Sequence, residues 1–120
     1  MRALTVQGVL SPQELSELLP AVGVTVQSSV GYAFGTMNIV LFVGRKYTFR
    51  SGDYLGLLLM ATFDATVQRI DVGYAGGGAG FLGAVWGAGS DLEDHLINAI
   101  VDRLTARSLT WSEVRMTTDG

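Results

Sequence analysis

The chain has 120 residues, 48 % of them hydrophobic and only 16 % charged, with a formal net charge of -3. One domain is the most that this length supports, and eight scattered basic residues against eleven acidic ones argue against a nucleic-acid-binding surface. Cysteine is absent, which excludes a disulfide framework, a thiol nucleophile and a zinc–thiolate site.

Arg2 to Gly8 predicts a short strand. Ser11 then reads as an N-cap, with Pro12 at the first helical position and Glu14 completing the capping box S-x-x-E. Leu15, Leu18 and Leu19 line one side of a helix of about two turns, which ends by Gly23. From Val24 to Val43 the pattern predicts two strands joined at Gly35-Thr36. Val24, Val26, Ser28, Val30 and Tyr32 alternate with Thr25, Gln27, Ser29 and Gly31, giving an apolar face and a polar one. Met37 to Val43 is apolar at nearly every position and belongs in the middle of a sheet. Gly44-Arg45 reads as the next turn and Lys46 to Arg50 as a short strand, so that a meander spans about residues 24 to 50.

Ser51-Gly52-Asp53 punctuates the chain. Tyr54 to Phe63 is ambiguous: its leucines and Met60 favour helix by propensity, yet a buried strand fits the same run, and helix is the preferred reading. Ala65 to Tyr74 alternates as a strand, with Ile70, Val72 and Tyr74 opposite Arg69, Asp71 and Gly73. Phe81 to Trp86 reads as a further short strand. Ser90 is then expected to cap the last helix, with Glu93 completing a second capping box and Asp91 in the first turn. Leu92, Leu96, Ala99, Ile100 and Leu104 recur at helical spacing through Ala106, and Arg103 and Arg107 favour its C-terminal end. Trp111 to Met116 predicts an edge strand, and residues 117–120 a frayed tail. The whole is a single α+β domain over residues 1–120: a mainly antiparallel sheet with a short N-terminal helix and a longer C-terminal amphipathic helix on one face.

Val72 to Gly89 is the most unusual stretch, 18 residues without a charge and 8 of them glycine. Glycine at this density lets backbone approach a strand, a ligand or another subunit closely. Gly78, Gly80 and Gly83 match G-x-G-x-x-G, but the evident helix start at Ser90 lies beyond the motif, where no pyrophosphate on the glycines would meet it. No cofactor is indicated. Gly76, Gly77, Gly78, Gly80, Phe81, Gly83 and Trp86 are instead the expected interface or ligand-approach residues.

The only histidine, His95, shares a helical stripe with Asp91, Asn98 and Asp102. Such a stripe is most simply a wet helix face; its chemical alternative is an acid–base pair built on His95, Asp91 or Asp102, and no metal site is indicated. Tyr32, Phe34, Tyr47, Phe49, Tyr74, Phe81 and Trp86 are candidates to line an apolar cavity between sheet and last helix. The longest apolar run between charges in a candidate helix, Tyr54 to Phe63, is only 10 residues, where a membrane span needs about 20. The start MRALTVQGVLSPQE lacks a leader's apolar run, and a cytoplasmic protein is expected. Low charge with a long neutral segment points to a homo-oligomer, or to binding of another protein. The alternative function is an enzyme or small-molecule-binding protein with an aromatic-lined cavity.

Overall fold

A computed structural model describes residues 1–48, 52–75 and 88–114. Their elements run β1 (Arg2–Gln7), α1 (Pro12–Ala21), β2 (Thr25–Phe34), β3 (Met37–Thr48), β4 (Asp53–Phe63), β5 (Val67–Ala75), α2 (Ala88–Ala106) and β6 (Thr110–Glu113). The six strands make one antiparallel sheet in the order β2-β3-β4-β5-β1-β6. The expected α+β architecture is therefore present, with both helices on one face.

The capping box forms as its residue types dictate. The Glu14 N–H donates to Ser11 Oγ at 3.1 Å, and the Ser11 N–H donates to Glu14 Oε1 at 3.3 Å. Helix α1 is 10 residues long and includes Pro20 in its last turn, so it runs further than the sequence pattern suggested. Gly23, at φ +85°, closes it: the Val24 N–H donates to the Leu19 carbonyl and the Gly23 N–H to that of Pro20, a Schellman ending. The same pair of bonds ends α2 through Leu109 to Leu104 and Ser108 to Thr105. There the left-handed position is held by Ser108, at φ 56°.

Strands β2 to β5 are sequential hairpins. Phe34 pairs with Met37 across the Gly35-Thr36 turn, and Gly35 at φ +59° supplies the positive angle that a two-residue hairpin loop needs. Two expectations fail next. Gly44 makes no turn, because β3 continues unbroken to Thr48. A Cβ at Gly44 would lie 2.5 Å from Val24 Cγ1 and 2.9 Å from the Thr25 carbonyl oxygen, so this glycine serves a close approach of β3 to the start of β2. Gly44→Ala should accordingly cost about 1–3 kcal/mol by overpacking, read as a lower Tm; an unchanged Tm would show that β2 yields freely there.

Residues 54–63 form strand β4 rather than helix. Pairing with β3 on one side and β5 on the other overrides the helical propensity of its leucines. Its burial alternates, with Leu55, Leu57, Leu59 and Ala61 buried and the residues between them half-buried. Asp64 shapes the turn into β5 by accepting from the Thr66 and Val67 N–H groups at 2.7 and 2.9 Å and from the Thr66 hydroxyl at 3.1 Å. These donors, the two backbone amides foremost, hold its carboxyl below the usual aspartate range.

The core lies between the sheet and the helices. Leu4, Val6, Phe42, Leu55, Leu57, Leu59, Ala61, Ile70 and Val72 from the strands join Leu15, Leu18, Leu19, Leu92, Leu96, Ile97, Ile100 and Leu104 from the helices in one buried cluster. Helix α2 begins at Ala88, which corrects the sequence reading: Ser90 lies inside the first turn and is not its N-cap. Glu93, expected to complete a capping box, is instead buried and pairs with the Met1 amine at 3.3 Å. Arg2 ties β1 to α2 through Asp94 (2.6 Å) and to β6 through Glu113 (2.8 Å). Arg107 and Arg103 bridge α2 to Glu14 of α1, and the hydrogen bond from Arg107 pulls the Glu14 carboxyl below its ordinary pKa.

Candidate functional site

Cross-strand register decides which side chains share each side of a sheet. Phe42, Leu59 and Val72 stand in one row and face the helices; Val43, Leu58 and Gly73 form the next row on the opposite side. Along that second side, Ile39 pairs with Thr62, Leu41 with Met60 and Arg45 with Gly56. Strand β2 extends it through Tyr32 beside Ile39 and Val30 beside Leu41. Apart from Gly73, which Met1 lies against, none of these residues is buried, and among the described residues no helix lies over them. Among the described residues the sheet thus has one dry face and one open face, and the open face is apolar where an ordinary exposed sheet face alternates toward polar residues.

Among the described residues, charge on the open face is sparse: one ion pair and one arginine held over an aromatic ring. Arg69 donates to the Asp71 carboxylate from Nε and Nη2 at 3.0–3.2 Å, and that hydrogen bonding raises the guanidinium pKa further above its ordinary value. Arg45 stacks 4.2 Å over the Tyr54 ring, and Tyr54 meets Tyr47 edge to face at 5.4 Å. Small residues leave a shallow dish of about 370 Å³ where Gly56, Gly73 and Ala75 adjoin Val43, Leu58 and Met1. A second, of about 470 Å³, lies past Met60 between Thr62, Thr5 and Arg69.

The sequence candidates fall elsewhere. Asp91, His95, Asn98 and Asp102 are all exposed on α2, and none lines either dish. Among the described residues no three His, Cys, Asp or Glu side chains converge as metal ligands, and no helix is long and apolar enough to cross a membrane. Gly76, Gly77, Gly78, Gly80, Phe81, Gly83 and Trp86 lie outside the described residues, as does the strand expected over Phe81 to Trp86. Of the glycine-rich segment, Val72 to Ala75 are described as the end of β5 and Ala88-Gly89 as the start of α2; the first of these stretches brings Gly73 and Ala75 to the open face.

The aromatic cavity expected under α2 is corrected by the register. Tyr32, Phe34 and Tyr47 belong to the open side of the sheet and are exposed, Tyr74 is also exposed, and Phe49, Phe81 and Trp86 are outside the described residues. Among the described residues, leucine, isoleucine and valine fill most of the space between sheet and helices, with Phe42 the one aromatic side chain in the buried cluster. The apolar face expected of Val26, Val30 and Tyr32 is corrected as well, since β2 is exposed on both of its faces; Val24, just before it, is buried as expected. Sequence reasoning missed the open face because alternation separates two faces without saying which one helices cover. Its available signal was Met37 to Val43, apolar at both parities. Set against models of known protein families, curated proteins and solved structures, the chain matches none.

Proposed function

We propose that this protein works by assembling with copies of itself through the open face of its sheet. The supporting observation is the uncovered row of Leu41, Val43, Leu58 and Met60, apolar side chains with no covering layer among the described residues. Burying such a face is the main driving force for association. Its extent is adequate. Four strands about 4.8 Å apart and about 37 Å long present about 700 Å², close to the ~800 Å² per partner of a standard stable interface.

A second copy is the occupant that the charge pattern favours. The Arg69–Asp71 pair neutralises itself, and Arg45 lies over an aromatic ring at one end. An identical face can therefore approach without a block of like charge. The low overall charge of the chain and the start of the glycine-rich segment at Gly73 support the same reading.

Light scattering at tens of micromolar is expected to give a mass above that of one chain. Val43→Lys places a charge in the middle of the face at a position already 37 % exposed, so the fold should survive while the face-to-face contact is lost. A smaller mass with unchanged circular dichroism is the expected result. A monomeric parent protein, or a Val43→Lys variant of unchanged mass, would overturn the proposal.

A further inference from the structure

The two edges of the sheet are built differently. Strand β6 ends one side with only 4 residues and carries Glu113, which Arg2 holds at 2.8 Å. Strand β2 ends the other side with 10 residues, TVQSSVGYAF, exposed throughout and without a charge or a proline. Among the described residues it pairs with β3 alone, so every second residue turns its N–H and C=O outward. Natural edge strands are blunted by charge, proline, brevity or covering elements, and β2 has only a bulge, between Val26 and Ser28.

We infer that β2 is a second assembly surface, which pairs antiparallel with β2 of another copy to make one continuous sheet. This rests on the edge of the sheet and is independent of the open face. The sequence of the strand favours a second copy over a foreign strand. Past the bulge, Ser28 to Phe34 is a regular run with Gly31 at its midpoint. Pairing about that midpoint sets Gly31 opposite Gly31, and Val30 opposite Tyr32 twice over, a β-branched–aromatic pairing of the stabilising kind. The strand has no charge with which to select a different partner or repel its own twin.

Space is available on the helix side. A groove of about 450 Å³ runs along the edge between Pro12, Gln13 and Ser16 of α1 and Ser29 and Gly31 of β2. Its walls are neutral, and the twofold axis, perpendicular to the sheet, would join the grooves of the two copies.

A cysteine scan tests this on a clean background, because the chain has no cysteine of its own. A Cβ at Gly31 meets nothing nearer than the Ile39 carbonyl oxygen at 3.8 Å, so Gly31→Cys should fold. A short thiol-to-thiol linker should convert most of it to a covalent dimer, several-fold more than Asn98→Cys, an exposed control on α2. Equal cross-linking of the two variants would overturn the inference. Hydrogen exchange on the unmodified protein decides the matter without any variant: amides of residues 28–34 should all be protected. Fast exchange at every second one would mark an unpaired edge and sink the proposal, whatever Val43→Lys shows for the open face.

Discussion

Leu96→Ala is expected to destabilise the protein by about 2–5 kcal/mol, the range for a leucine truncated where its surroundings cannot collapse onto the space. Leu96 is wholly inaccessible to solvent and sits in the cluster that joins α2 to the sheet. The neighbouring His95 is exposed, so His95→Ala should stay within about 0.5 kcal/mol of the parent. Urea denaturation of the pair would show the Leu96 midpoint falling at unchanged slope and the His95 midpoint holding still. The reverse order would mean that α2 presents a different side to the sheet and that His95 is a partnered, buried group.

Gln68→Leu should do comparable damage although it adds apolar character to the core. Gln68 is 1 % exposed. Its Oε1 accepts from the Leu10 N–H at 2.9 Å and its Nε2 donates to the Leu10 carbonyl at 3.0 Å. One side chain thus satisfies both backbone groups of a buried residue in the link between β1 and α1. Leucine leaves two buried polar groups unpaired, each costing about 1–3 kcal/mol, so a loss of about 2–6 kcal/mol is expected. Calorimetry would register it as a large fall in Tm, and a Tm within a degree or two of the parent would mean that water reaches Leu10. Gln68→Glu provides a sharper reading: only its protonated form can donate to the Leu10 carbonyl. Its deficit relative to the parent should therefore shrink as pH falls and the carboxyl takes up its proton.

Local chemistry explains which elements could be read from the residues. Ser11, Pro12 and Glu14 specify a helix start through contacts made within four residues, and the leucine stripe of α2 specifies its buried side by spacing alone. Gly35-Thr36 fixes a hairpin for the same reason. Gly44 misled because a glycine in a strand looks like a turn until the partner that approaches it, Val24, is known. Tyr54 to Phe63 misled because the pairing of β4 on both sides is a tertiary fact. The clamp of Gln68 on Leu10 spans 58 residues and leaves no local trace. Ser108 holds a left-handed helix ending that composition assigns to glycine. Of the candidate site, Gly76 to Trp86 lies outside the described residues, and the open face emerges only from the parity of the paired strands.

The position of β1 has a consequence for how the chain is made. It lies between β5 and β6, pairing Arg2 with Val72 and Leu4 with Glu113, although it is made before the meander of β2 to β5. The hairpins from β2 to β5 need only neighbouring residues and can form as they emerge. Through that interval β1 has no strand to join, and the loop that must close to seat it is long, which slows its docking. Strand β6, made after β5 and α2, then seals its outer edge. Synthesis should therefore pass through a nascent meander with a loose N-terminal strand, the stage at which the uncharged β2 edge is most open to premature pairing between chains.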